Sequence, residues 1–199
     1  MEININCDLG EKSKHHSNKY DPDLLEIVNS ANIACGYHAG DEETMNQVVE
    51  ISKKNGVSIG AHPSFNDPEN FGRERMSLSS VEIKKLIINQ YEVLQKVAIK
   101  HGEKVSHIKP HGALNNMACE DIELSSILAK VIKDIDKDLI YLVPTGSKME
   151  FAAKKLNFHH LRSFCLQKFH MLFSYLVFWQ LLPFSSLLVR GRLNLYLFH

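Results

Sequence analysis

The chain has 199 residues, enough for one domain with a sizeable core. Its 23 basic residues balance its 23 acidic ones, which argues against a nucleic-acid binder with a broad basic face. All 23 acids lie in 1–160, whereas 161–199 carries Arg162, Lys168, Arg190 and Arg192 and no acid, so the two stretches differ in kind.

In chain order, residues 3–7 read as a strand ending at Asp8, 22–29 as a helix and 30–35 as a second strand. Asp41 is placed to cap a helix whose apolar positions are Met45, Val48 and Val49. Val57 to Ala61 forms a third strand. Ser79 with Glu82 is a capping box opening the longest helix, with Ile83, Leu86, Ile87, Leu94, Val97 and Ala98 on one face. That helix stops at His101-Gly102. Val105 to Lys109 is a fourth strand, Asp121 starts another helix, Leu139 to Val143 is a fifth strand, and a short helix reaches about Leu156. Strands alternating with helices imply a parallel sheet with right-handed crossovers, either a β/α barrel or an open doubly wound sheet. No dinucleotide fingerprint follows the first strand, which weakens the open alternative.

Cys7, Cys35, Cys119 and Cys165 form no CxxC pair and read as reduced thiols. The N-terminus lacks the basic start and apolar run of a signal peptide, so a cytoplasmic location is expected.

Polar residues of catalytic type gather where the strands end. Asn6, Asp8 and Glu11 follow the first, His38 and Asp41 the second, His62 the third, and Lys109 and His111 the fourth. In a parallel barrel these ends converge on one mouth, so one shared pocket is expected. Each residue has a plainer reading. Asp8 and Asp41 can cap helices, a histidine before proline can be structural, and Arg73 can be a surface residue. An aspartate with histidines also suits a divalent metal, with Asp8, His38 and His62 as the set, although no HxxxH or HExxH spacing makes this specific. Alternatively, Lys109 and His111 polarise an amide or bind phosphate oxygens while a carboxylate positions water. Arg73 would then grip an anionic group. His15 and His16 lie in a polar loop, and His101 and His107 look peripheral; none is assigned a role.

Five blocks carry a resemblance: Asn6-Cys7-Asp8-Leu9-Gly10-Glu11, the twelve residues Ser30 to Asp41, Gly60-Ala61-His62-Pro63, Asn70-Phe71-Gly72-Arg73, and Lys109-Pro110-His111-Gly112-Ala113-Leu114. In this order they resemble the LamB/YcsF family throughout 3–156. The resemblance implies a seven-stranded variant of the parallel β/α barrel, akin to the polysaccharide deacetylases, and a hydrolase that acts on a cyclic amide. The implied activity is that of an ATP-dependent 5-oxoprolinase, which opens the lactam of 5-oxoproline to L-glutamate. ATP is the implied co-substrate, this chain the A component, and subunits B and C its partners. Asp8, Lys109 and His111 become the catalytic candidates, and Asn6, Glu11, His38, Asp41, His62 and Arg73 line the substrate. Asn115 stands where the family has tyrosine. A stand-alone metal-dependent amide hydrolase of deacetylase type is one alternative function, and a non-enzymatic barrel fragment is another.

The resemblance implies a further strand beginning Glu-Val-Phe-Ala after Leu156, where this chain reads Arg162-Ser163-Phe164-Cys165. The codons CGA AGT TTT TGC, read one base later, give Glu-Val-Phe-Ala. Two segments are therefore expected: a partial barrel over 1–160 and an out-of-frame tail over 161–199. The barrel would be C-terminally incomplete, with unpaired edges, and activity would be impaired. Met171 to Val189 passes without a charge but contains Pro183 and several polar residues, so a membrane span is not the expected reading.

Overall fold

A computed structural model of the chain describes residues 3–14, 16–165 and 193–197. Six strands lie side by side in sequence order and run parallel: β1 (Ile3–Leu9), β2 (Ser30–Ala34), β3 (Ser58–His62), β4 (His107–Ile108), β5 (Ile140–Pro144) and β6 (His160–Cys165). A seventh, β7 (Leu193–Leu197), pairs antiparallel with both β6 and β1 and closes the sheet into a barrel. The parallel β/α barrel is thus found in β1–β6. The expectation that the edges of β1 and β6 would stand unpaired is corrected. A strand of either direction can satisfy an edge's backbone groups, and β7 does so within 161–199. The remaining stretch 166–192, including 171–189, lies outside the described residues. No helix among the described residues is long and apolar enough to cross a membrane.

The helices form where capping chemistry and apolar spacing agree. Asp41 accepts from the Thr44 N–H at 2.7 Å and opens α2 (Glu42–Asn55), which buries Met45, Val48 and Val49. Ser79 and Glu82 make the reciprocal capping box of α3 (Ser80–Lys100), and all six apolar residues expected on its inner face are buried. Asp121 caps α5 (Ile122–Ile135), and Ser147 caps α6 (Lys148–Lys155). α1 (Asp21–Leu25) is shorter than expected, a single turn with proline in its first turn.

One helix was not expected: α4 (Gly112–Glu120). A glycine start and the Asn115-Asn116 pair disfavour helix locally, and only Ala113, Leu114 and Ala118 are buried. Packing against α5 and α6 overrides that weak propensity. β4 is shorter than expected, two residues long. Ladder-like bonds nevertheless continue beyond it, from Lys109 N–H to Ala61 O (2.9 Å) and from His111 N–H to Pro63 O (2.8 Å). They carry the chain on towards the mouth of the barrel.

Strand alternation sorts the side chains. Cys7, Leu9, Ala31, Ile33, Ile59, Ala61, Ile108 and Tyr141 face the helices and form the apolar core. Asn6, Asp8, Asn32, His62, His107 and Lys109 share the opposite, inner face, where they hydrogen-bond one another.

Candidate functional site

The inner face has two storeys. In the lower one the Asn32 side chain reaches three neighbours. Its amide donates to Asn6 Oδ1 at 2.7 Å and Asp8 Oδ1 at 2.8 Å, and its carbonyl faces His107 Nε2 at 3.1 Å. The Ser106 hydroxyl lies 2.9 Å from both His107 Nδ1 and Ile59 O. The imidazole fits because Gly60 lies opposite; a Cβ there would sit 2.0 Å from His107 Nε2. Burial lowers the pKa of His107 from 6.5 to about 3, so the ring is neutral and its Nε2–H donates to Asn32. His107, read from sequence as peripheral, instead holds the residue that orients Asp8.

Above this layer, Lys109 Nζ approaches Asp8 Oδ1 to 2.5 Å, both side chains being largely buried. Asp8 Oδ1 is thus held by Asn32 and Lys109, while Oδ2 lies 3.4 Å from His62 Nε2. Burial opposes ionisation of Asp8, but the charges and hydrogen bonds of His62 and Lys109 outweigh it and hold its pKa well below the ordinary value.

The upper storey gathers Glu11, His38, His62 and His111. One donor atom from each lies within 4.8 Å of all the others, a group that can hold a metal ion. Glu11 Oε1 is 3.2 Å from His111 Nδ1, 3.3 Å from His38 Nε2 and 3.7 Å from His62 Nε2. The three imidazoles are anchored from behind. His62 Nδ1 meets Lys109 O at 2.6 Å, and His111 Nε2 meets Phe71 O at 2.9 Å. His38 Nδ1 meets Ser64 Oγ at 2.9 Å, and that hydroxyl donates to Phe65 O. Gln90 of α3 fixes Ser64 through both its backbone groups. His38 and His111 stack with centroids 3.8 Å apart and planes 7° from parallel.

The Asn70–Arg73 turn completes the enclosure. Phe71 adopts φ +57°, costly for a side chain of this size, and this conformation presents its carbonyl to His111 while its ring meets His38 and His111 edge-on. Gly72 has φ +67°, and a Cβ there would lie 2.9 Å from His38 Cβ and 3.0 Å from His111 Cδ2, so only glycine passes between these rings. Burial lowers the pKa of His38 from 6.5 to about 4 and also lowers that of His111. Glu11 is depressed despite its burial by hydrogen bonds to His111 and His38.

Of the residues singled out from sequence, Asp8, Glu11, His38, His62, Lys109 and His111 meet as expected. The structure divides them, however. Lys109 joins Asp8, whereas His111 joins the other histidines around Glu11. The donor group contains Glu11 and His111 beside His38 and His62, whereas Asp8 of the expected set Asp8, His38 and His62 is engaged by the Lys109 ammonium. Asn6 is fully buried beneath Asn32. Asp41 is exposed and caps α2 outside the cluster. Arg73 is exposed at the rim, its guanidinium 5.2 Å from the centroid of the Phe71 ring. His16, expected in a solvated loop, stacks on the same ring at 4.1 Å. Sequence reasoning passed over Asn32, Ser64 and Phe71. It also passed over His107, whose spacing of two from Lys109 on a strand puts both on one face.

This inner face has counterparts among known proteins. The model of the LamB/YcsF family matches residues 3–170, which include every residue of both storeys. The A subunit of 5-oxoprolinase from Natranaerobius thermophilus is 44% identical over 148 residues, covering 74% of this chain and 58% of that protein. Its counterpart from Nitrobacter hamburgensis, likewise the A subunit of 5-oxoprolinase, is 43% identical over 157 residues, covering 78% and 62%. The chain thus spans about three fifths of the length of these relatives. The crystal structure of the lactam utilization protein from Thermus thermophilus superposes with a TM-score of 0.77 at 34% identity, covering 81% of this chain and 66% of that one. On the family match and the shared barrel together, this chain belongs to the LamB/YcsF family.

Proposed function

We propose that this chain serves as the A component of an ATP-dependent 5-oxoprolinase, opening the lactam of 5-oxoproline to L-glutamate in a complex with subunits B and C in the cytoplasm. The observation that carries the reading is the identity of over 40% to proteins named as the A subunit of 5-oxoprolinase, within a family match that spans Asp8, Glu11, His38, His62, Lys109 and His111. An unactivated five-membered lactam is a poor electrophile. Transfer of the γ-phosphoryl group of ATP to the ring oxygen makes the ring carbon electrophilic. Water then adds to the ring carbon, the C–N bond breaks and the ring nitrogen takes up a proton, giving glutamate, ADP and phosphate after a second water releases the phosphoryl group.

The geometry supports a division of labour. Asp8 Oδ1 is occupied by Lys109 and Asn32, so Oδ2 is the atom placed to take a proton from the attacking water. The Lys109 ammonium, held in the same pair, puts positive charge beside the oxygen on which negative charge builds, and His111, 3.2 Å from Glu11, is the second group suited to stabilise that charge. Arg73 at the rim is suited to the substrate carboxylate.

In an assay with the cognate B and C subunits, wild-type chain should form glutamate in step with ATP hydrolysis, and Asp8→Ala should lower that rate by about a thousandfold. Near-normal turnover in Asp8→Ala would remove Asp8 from the chemistry. Glutamate formed without ATP or partner subunits would favour a stand-alone amide hydrolase instead. The same reading treats 161–199 as an out-of-frame tail that impairs turnover, supported by its lack of acids and the Glu-Val-Phe-Ala hidden behind Arg162 to Cys165. The nucleotide sequence across codons 155–200, read in three frames, tests it.

A further inference from the structure

We infer that Glu11, His38, His62 and His111 form a binding site for one divalent transition-metal ion of the zinc type. The first ground is the direction of the ring nitrogens. Lys109 O and Phe71 O can only accept, so His62 Nδ1 and His111 Nε2 must donate to them. The Ser64 hydroxyl spends its proton on Phe65 O, so it accepts from His38 Nδ1. The opposite nitrogen of each ring therefore turns inward, where it can present a lone pair to an ion. These are His38 Nε2, His62 Nε2 and His111 Nδ1, and all three face the Glu11 carboxylate.

The second ground is the contact this creates. His111 Nδ1 and His62 Nε2 lie 3.0 Å apart, two ring nitrogens that a bound ion would convert from hydrogen-bond partners into ligands. Glu11 Oε1 lies 3.2 Å from one and 3.7 Å from the other. Here three imidazole nitrogens and one carboxylate converge on one point in a largely buried space. Such an arrangement is held together by a cation at its centre.

The third ground is size. Four ligands at about 2.0–2.1 Å from a tetrahedral zinc ion stand roughly 3.3 Å from one another. Four of the six donor separations, 3.0, 3.2, 3.3 and 3.7 Å, bracket that edge, and all six lie within 4.8 Å. The backing contacts from Ser64, Lys109 O and Phe71 O are those that fix tautomer and ring orientation in metal-bound histidines. Three imidazoles and one carboxylate suit zinc and its first-row neighbours rather than magnesium or calcium, which prefer oxygen. Each ligand comes from the end of a different strand among β1–β4, so the ion would also tie these four loops together.

This inference does not depend on the lactam reading, because metal binding is measured without ATP, 5-oxoproline or partner subunits. The full chain, stripped with a chelator and desalted, is titrated with Zn2+ against a chromophoric competitor. One equivalent should bind with a Kd below about 1 µM. Co2+ in its place should give the intense visible bands of tetrahedral coordination. Glu11→Gln and His111→Ala should each weaken Zn2+ by about a hundredfold or more, while His101→Ala, a histidine outside the group, should bind like the wild type. Should either ligand variant fail to melt cooperatively, X-ray absorption of the zinc-loaded wild type decides, with about three imidazoles and one carboxylate expected around the ion. Failure of Zn2+ and Co2+ to bind stoichiometrically, unchanged affinity in both folded variants, or a zinc shell without imidazole would each overturn the inference.

Discussion

The two storeys of the barrel interior are built from the same residue types, yet they differ in how their hydrogen bonds close. The lower storey answers itself: Asn32 supplies donors to Asn6 and Asp8 and an acceptor to His107. The upper storey is backed by Ser64, Lys109 O and Phe71 O and turns one nitrogen of each ring towards the Glu11 carboxylate. A buried network that satisfies itself gives rigidity and specificity, whereas one that leaves acceptors facing inward is built for a ligand. Asp8 stands at the boundary, with one oxygen in each storey.

The largest expected effect of breaking that contrast comes from Asn32→Leu. It leaves Asn6 Oδ1, Asp8 Oδ1 and His107 Nε2 each short of a partner, and should cost about 3 kcal/mol in a denaturant melt. Because Asn32 touches none of the four proposed metal ligands through its hydrogen bonds, Zn2+ affinity should stay within a few fold. A large loss of affinity with little loss of stability would reverse the roles assigned to the two storeys.

Acid sharpens the comparison next. His107 titrates at about 3 in the folded protein against 6.5 when unperturbed, because burial disfavours its charged form. The unfolded chain therefore binds a proton that the folded chain refuses. The stabilisation is complete above pH 6.5 and is lost as pH falls from there towards 3, amounting to roughly 2 kcal/mol at pH 5. A melt series in wild type and His107→Gln should show a shallower acid decline in the variant, and equal slopes would mean that His107 is not held neutral.

The smallest effect concerns a residue that the structure moves out of the site. Asp41→Ala removes a cap from α2 and should cost about 1 kcal/mol while leaving Zn2+ affinity unchanged. A substantial fall in Zn2+ affinity would return Asp41 to the site.

Much of this was legible in the sequence. Alternating strand and helix signals specified a parallel sheet with helical crossovers, and the resemblance narrowed it to a barrel. The caps at Asp41, Ser79 and Asp121 and the spacing along α3 are local properties that the chain carries with it. The pile-up of Asp8, Glu11, His38, His62, Lys109 and His111 at strand ends likewise announced a shared mouth. Helix α4 was not legible, because Gly112 and the Asn115-Asn116 pair hide it and only packing on α5 and α6 sustains it.

The division of the polar residues into two storeys needed the tertiary structure. Which nitrogen of each imidazole faces inward depends on a carbonyl or hydroxyl contributed from elsewhere in the chain: Ser64 for His38, Lys109 for His62, Phe71 for His111. Whether Asp8 joins the metal-ligand set depends on Lys109, 101 residues away. Residue types and their spacing along strands and helices are local information. The partner on the far side of a ring or a carboxylate is set by closure of the barrel, and that partner fixes where each lone pair and each charge is aimed.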